Sequence, residues 1–346
     1  MTSYERVESE LKIMLDIFRQ QNDDGFHLKL AHLCQQLTRF VGIRLTLLQH
    51  FFSLSQLGSE GKWIDFQIEM SRLEKLKYVR GELSVVPSPM QVLGSTVKNE
   101  IICLEMLIDS QLKISSWRYM EAMMALSSCK AALLAWNPPQ TVQAKKISWA
   151  SHVKYPGETN LHLWMRMFHN ALIAKATLYF HNSLLPHSMT PSLETKLPPE
   201  LNYYTRLSQF QKQTSANHVA IVLDTNRLDS VYQGHGYHLP NDASVAKPTG
   251  VQAYPAILTI PSEIARQHWP TIVSLLTGKP FEATVNPFQI HDKDTLYIAC
   301  KIDAHMYLVM MYSTRKPPKE TPVVSFLSDF VPTLRNAKHY MQIKIS

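Results

Sequence analysis

The feature that most limits what this chain can fold into is a run of apolar residues at alternating three- and four-residue steps. Leu30, Leu33, Leu37, Phe40, Leu47 and Phe51 keep that step, interrupted only where Arg44 falls on the seam. Such a stripe demands a helix packed lengthwise against others. The spacing restarts at Trp63, Phe66, Met70, Leu73, Leu76 and Val79, and again at Val97, Ile101, Leu104 and Ile108. It returns a last time from Trp117 through Met120, Met124 and Ala131 to Leu134. The breaks are short: Gly58-Ser59-Glu60-Gly61, Pro87-Ser88-Pro89 and Asn137-Pro138-Pro139. Short breaks between one-sided helices make antiparallel neighbours, so residues 27–137 are expected to form a four-helix bundle. A shorter amphipathic helix over 2–22, with Leu11, Met14, Leu15 and Phe18 on one side, precedes it and stops at Asn22-Asp23-Asp24-Gly25. Met120, Met123 and Met124 read as core filling, since methionine at helical spacing usually packs inside. No Glu-x-x-His pair of the di-iron type stands on these helices, so the bundle reads as structural or adhesive.

Beyond residue 137 comes a linker, 138–160, with the basic pair Lys145-Lys146. The most apolar helix follows, Leu161 to Leu185, carrying Leu163, Trp164, Met167, Phe168, Leu172, Ile173, Leu178, Tyr179 and Phe180. Apolar residues around most of its circumference predict burial on several sides, between two domains. Its His162, His169 and His181 are too far apart in helical register to form one site. A Pro-rich stretch, Pro186 to Pro199, and a short helix over Tyr203 to Lys212 lead into a different pattern. Strands are expected at 218–224 and 254–260, a helix within 262–278, firm from Pro270 to Gly278, then strands at 281–288, 295–302 and 306–313. Asp303-Ala304-His305 joins the last two as a hairpin, and Thr321-Pro322 opens a final helix holding Val324, Phe326, Leu327, Phe330, Val331 and Leu334. The expected class is α+β with two domains: a helical bundle over 1–137, and over 161–346 a five-stranded antiparallel sheet with helices packed on it. That element order is the roadblock and longin one, an analogy of fold that assigns no function.

The chain has 346 residues, enough for two cores. At 45% hydrophobic and 18% charged it is a folded chain, not a disordered one. The net charge of +7 is spread over Lys98, Lys113, Lys145, Lys146, Lys279, Lys316 and others, without the aromatic-interleaved basic tract that binds nucleic acid. Cys34, Cys103, Cys129 and Cys300 show no CxxC spacing and are expected to be buried, reduced thiols. Met1 to Glu10 is polar and acidic, which reads against a secretory signal. No apolar run approaches the ~20 residues of a transmembrane helix. A cytosolic protein that reaches membranes through partners is expected.

One loop invites chemistry: Gln233-Gly234-His235-Gly236-Tyr237-His238, between the first two strands. His235 and His238, three apart, could take zinc with His268 of His268-Trp269-Pro270 as third ligand. Yet no HExxH accompanies them, and Asp224 is the one acidic neighbour. Gly234-x-Gly236 lacks the third glycine, the lysine and the following helix of a phosphate cradle. Ser230 and Ser244 have no GxSxG elbow. The reading preferred is a tight connection: Gly234 and Gly236 permit positive φ, Tyr237 and the histidines brace it, and the surface doubles as a partner contact. No catalytic, cofactor or metal residue is assigned; the rival reading is a metal-dependent hydrolase using this loop.

Together with Lys247-Pro248-x-Gly250-Val251-x-x-Tyr254-Pro255-Ala256 and His268-Trp269-Pro270, the Gly-His loop resembles the KICSTOR subunit 2 family. So do Leu163-Trp164, Leu172-x-Ala174-Lys175 and Tyr179-Phe180-His181 in the central helix, and Ser325-Phe326-Leu327 in the last. The resemblance spans about residues 27–337, and the chain starts later than the longer members. Leu239 stands where the family carries a further histidine. The resemblance implies a non-enzymatic scaffold subunit of the KICSTOR complex, beside kaptin, an FG-GAP-repeat protein and a very large seizure-threshold protein. It further implies that the complex holds the GATOR GTPase-activating complex on the lysosomal surface, so that TOR complex 1 is switched off when amino acids or glucose are scarce. A helical bundle followed by an α+β domain is the implied fold, with no catalytic residues and no cofactor.

Overall fold

A computed structural model describes residues 2–20, 25–61, 65–83, 91–137, 149, 151–184, 198–229, 231, 232, 234, 246–278 and 286–343. Five helices open the chain: α1 (Thr2–Gln20), α2 (Gly25–Glu60), α3 (Phe66–Leu83), α4 (Gln91–Ser115) and α5 (Tyr119–Trp136). Their apolar stripes decide how they pack. Leu11, Leu15 and Phe18 of α1 are partly covered, and α1 has α2 as its main neighbour. Ile43, Leu47, Phe51 and Leu54 of α2, Leu73 and Leu76 of α3, and Ile101, Leu104, Leu107 and Ile108 of α4 are buried in one cluster. α5 adds Ala122, Leu126, Cys129 and Leu133, a single face by their steps of four, three and four. Arg44, the interruption of the α2 stripe, is explained by Glu100 of α4: its Nη1 lies 2.6 Å and 2.5 Å from the two carboxylate oxygens.

α6 (Asn160–Tyr179) then runs through the interior, against α4 and α5 on one side and the sheet region on another. Thr159 caps it, its side chain accepting from the His162 N–H at 3.1 Å. Burial extends around nearly the whole helix, as its composition predicts. Short α7 (His181–Leu184) and α8 (Tyr203–Thr214) follow, the latter capped by the Asn202 side chain accepting from Thr205 N at 3.1 Å.

The second half is a five-stranded antiparallel sheet of order β2-β1-β5-β4-β3, from β1 (His218–Leu223), β2 (Ala256–Ile260), β3 (Phe288–Asp292), β4 (Thr295–Asp303) and β5 (Met306–Ser313). Its inner strands are apolar on both faces because both are covered. Val219, Ile221 and Leu223 of β1, Leu296, Ile298 and Ile302 of β4, and Leu308, Met310 and Tyr312 of β5 join the helical core. The alternate residues Ala220, Val222, Tyr297, Ala299, Tyr307, Val309 and Met311 build a smaller core with α9 (Trp269–Thr277). α10 (Glu320–Leu334) packs Leu327, Phe330, Val331 and Leu334 on the larger core, and α11 (Ala337–Met341) lies on α2. That larger core is continuous from Ile43 to Tyr340.

Several boundaries differ from those expected. Gly58 does not end α2; the helix continues to Glu60, and Gly61, with φ +62°, is the left-handed stop. The third strand is Phe288–Asp292, not 281–288. Two-residue Lys293-Asp294 closes its hairpin with β4, Lys293 at φ +51°, and that turn fixes Asp292 opposite Thr295 and Ile290 opposite Tyr297. Residues 281–285 lie outside the described residues, as do Asn22-Asp23-Asp24, Trp63, Pro87-Ser88-Pro89, Lys145-Lys146 and most of the Pro-rich stretch. Lys319, not Thr321, is the N-cap of α10, and no side chain caps it. Glu320 in the first turn offsets the exposed helix amides instead. A final helix, α11, carried too few residues to leave a periodic signal.

The four cysteines are buried and free. Among the described residues no helix is long and apolar enough to cross a membrane.

Candidate functional site

Of the loop residues singled out by sequence, Gln233, His235, Gly236, Tyr237 and His238 lie outside the described residues, as do Ser230 and Ser244. Gly234 has φ +98°, a conformation glycine adopts without strain, and a Cβ there would meet nothing within 4 Å. The chain enters this loop through Tyr232, whose ring packs 5.8 Å from Trp117, itself 4.9 Å from Phe180. Burial pushes the Tyr232 phenol up to about 12. Tyr232 therefore sits with the helical core. Trp269 packs with the smaller core on the other side of the sheet, and Nδ1 of His268 lies 2.6 Å from the Tyr297 hydroxyl of that same core. Burial, and then His218, lower the His268 imidazole against the opposing pull of Asp292. Asp224 is spent locally: its Oδ1 accepts from the Asn226 amide at 3.1 Å, and its Oδ2 faces Arg227 Nε at 3.6 Å. Among the described residues no group of three His, Cys, Asp or Glu is placed to hold a metal ion.

The densest polar chemistry lies elsewhere, on α6. Arg166 is fully buried, and all five of its guanidinium N–H groups find oxygen. Nε and Nη2 donate to Glu158 Oε1 and Oε2 at 3.0 Å each, Nη1 to the carbonyls of Trp149 and Ser151 at 2.6 and 2.7 Å, and Nη2 to that of Val153 at 3.0 Å. Glu158 also accepts from the Tyr155 amide at 2.9 Å, and His162 Nδ1 lies 2.6 Å from it. Burial alone would raise this carboxyl; the bonds from His162, Arg166 and the Tyr155 N–H prevail and hold it near 2. The other His162 nitrogen reaches the Leu133 carbonyl of α5 at 2.9 Å. Two turns along, His169 Nε2 donates to the Leu126 carbonyl at 2.9 Å while its Nδ1 accepts from Trp149 Nε1 at 3.3 Å. The segment before α6 is thus tied down by an arginine, and α6 is tied to α5 by two histidines.

A second polar seam joins the helices to the sheet. Lys175 Nζ of α6 is 2.5 Å from Oδ2 of Asp303, at the end of β4, and the Tyr179 hydroxyl donates to the same oxygen at 3.1 Å. Burial would raise the Asp303 carboxyl, but Lys175 draws it below the ordinary range. Arg335, between α10 and α11, donates to the Ile302 and Lys301 carbonyls at 3.1 and 2.7 Å and to that of Gly61 at 2.7 Å. It ties the α2 stop, the β4 end and the last helices together.

Sequence reasoning missed these groups. A signal was present: Glu158, His162 and Arg166 repeat every four residues across a helix start, and Arg166 and Lys175 stand alone in an apolar helix. The methionine reading also needs correcting. Met124 is 67% exposed and Met120 40%, because the buried face of α5 is the 122-126-129-133 line; Met123 alone of the three packs on the core.

A family model described as KICSTOR complex C12orf66 like matches residues 1–346. The chain is 26% identical to a KICSTOR subunit 2 of Danio rerio over 355 residues, covering 99% of this chain and 78% of that protein. It is 26% identical to a KICSTOR subunit 2 of Xenopus laevis over 356 residues, covering 99% and 79%.

Proposed function

The chain belongs to the KICSTOR complex C12orf66 like family, and on that premise we propose that it is a non-enzymatic scaffold subunit of the KICSTOR complex. The match of the family model over residues 1–346 carries this reading. The spending of Arg166, Glu158, Lys175 and Asp303 on internal ties supports it, because a scaffold needs rigid relative placement of its surfaces. In this reading the other subunits are kaptin, an FG-GAP-repeat protein and a seizure-threshold protein. The complex holds the GATOR GTPase-activating complex at the lysosomal surface and so restrains TOR complex 1 on amino acid or glucose deprivation. Tethering works by raising the local concentration of a GTPase regulator beside its membrane-bound target. The helical part over 1–137 serves as a four-helix-bundle docking body. The part over 161–346 serves as a roadblock- or longin-like layer, a reading its strand order β2-β1-β5-β4-β3 supports. The Gly-His loop, with His268 and Trp269, is a partner contact.

The test is affinity purification of the tagged chain from cells. Co-recovery of the other complex subunits, lost on deletion of the helical part and kept in His235→Ala, is the expected result. Stoichiometric zinc in the purified chain, lost on replacing His235 or His238, would overturn the reading.

A further inference from the structure

One flank of α2 is left open among the described residues. Leu28, His32, Gln35, Arg39, Gly42 and Thr46 step by four and three, so they lie along a single line of the helix. Two open cavities of about 530 and 650 Å³ follow one another along that line, walled by α1 at Leu15 and Glu8 and by α3 at Glu74 and Tyr78. Residues 28 to 46 cover about 27 Å of helix axis, some five turns. A Cβ at Gly42 would meet nothing within 4 Å. Thr38 Oγ1 donates to the Cys34 carbonyl at 2.8 Å and Thr46 Oγ1 to that of Gly42 at 3.0 Å, so both hydroxyls are satisfied within the helix. Leu28, 74% exposed, and Tyr78, 69% exposed, are the two most exposed large apolar side chains among the described residues, and both stand in this trough. Its charged lining is mainly cationic: Arg19, Lys29, Arg39 and Lys75 against Glu74 and Glu8, and Glu8 is already 2.7 Å from Lys12.

We propose that this trough seats an amphipathic α-helix of another subunit of the complex, with small apolar residues facing Gly42 and acidic residues on its flanks. A helix fits where a strand does not: the trough runs parallel to α2 for some five turns, and a glycine floor lets two helix axes approach closely. The cationic lining selects an acidic occupant over a basic one. The proposal rests on membership of the complex.

The experiment uses the full chain co-expressed with the other complex subunits, with a photo-crosslinking residue at Arg39 or Thr46. Crosslinks to one partner subunit, at positions three and four residues apart, are expected. Gly42→Leu, whose Cβ has open space within 4 Å and whose side chain fills the floor, should reduce recovery of that subunit more than tenfold while the chain melts no lower than the unsubstituted one. Arg39→Glu with Lys75→Glu should weaken recovery likewise. Crosslinks confined to this chain or to a second copy, or unchanged recovery with Gly42→Leu, would overturn the trough but leave complex membership standing. Failure of the unsubstituted chain to recover any subunit would overturn membership, and with it the occupant named here.

Discussion

A Cβ placed on Gly58 would stand 2.7 Å from the carbonyl oxygen of Ala337 and 2.9 Å from the amide nitrogen of Met341. The backbone of α11 lies directly on α2 at Gly58. The approach sets the positions of His339 and Tyr340. The His339 ring stacks 5.1 Å from Trp164 and 5.3 Å from Phe168, and Tyr340 meets Phe168 edge-on at 5.3 Å. Trp164 Nε1 donates to the His339 carbonyl and His339 Nε2 to that of Trp164, both at 3.0 Å. A glycine that reads as a helix stop is thus the contact by which the last helix closes on the first half.

Gly58→Ala should therefore destabilise the chain, although alanine is the better helix former. Overpacking against backbone costs about 1–3 kcal/mol, against a propensity gain of up to about 1 kcal/mol. Gly42→Ala, where the added carbon meets nothing, should instead stabilise by roughly 0.5–1 kcal/mol. Urea midpoints of the two variants should move in opposite directions; movement in the same direction would refute the close approach.

Removing one partner of the buried α6 pair should be severe. Glu158→Gln or Arg166→Met strands a buried charge, at a cost on the order of 3–5 kcal/mol. Arg166→Lys should rescue little, because an ammonium has three donors where five are used. Equilibrium unfolding checks this, and full stability in the lysine variant would contradict it.

Stability should fall on the acid side in two stages. Burial holds the imidazoles of His50, His169 and His339 near 4, below the ordinary 6.5, with Arg72 and Lys75 adding to the effect at His50 and Lys130 at His169. The unfolded chain binds more protons between 6.5 and 4, so their contribution is complete above 6.5 and drains away as pH falls through that window. Glu158, held near 2 rather than 4.5, contributes fully above 4.5 and loses that contribution between 4.5 and 2. Denaturant midpoints measured from pH 8 to pH 3 should begin to decline near 6.5, with His339→Phe taking about one proton from the upper slope. A profile flat down to pH 5 would contradict the burial of these rings.

Met120→Glu and Met124→Glu should leave thermal stability within about 0.5 kcal/mol, since both side chains face outward. A large loss in either variant would return these residues to the core.

Much of the fold was legible because periodicity is a local property. The later part of the α2 stripe (Leu47 and Phe51), the α4 stripe, the all-round apolar α6, the strands β1, β4 and β5 and the Ala304-His305 hairpin follow from the spacing of apolar residues alone, whereas Leu33 of the α2 stripe is 40% exposed. The stop of α2, the position of β3 and the facing of α5 were not legible in the same way. Gly58 and Gly61 are equal candidates until α11 is present to need one of them. Phe288–Asp292 is a strand because a turn at Lys293-Asp294 sets it against β4. Met120 and Met124 fall outside because α4 and α6 cover the neighbouring face of α5. The loop at Gly234 drew attention through its composition, whereas Arg166 is satisfied by carbonyls that carry no side-chain signature and Asp303 by Lys175 and Tyr179, far from it in sequence.

The sequence by itself determined the succession of one-sided helices, a fully apolar central helix and a sheet of alternating strands, and its family likeness. Tertiary structure decided which polar groups are consumed and which surface stays open. The Arg166 guanidinium is stable in the interior only because Trp149, Ser151, Val153 and Glu158 fold back on α6 and bring it five acceptors. The trough along α2 is open because α1 and α3 stand on either side of Gly42 rather than over it.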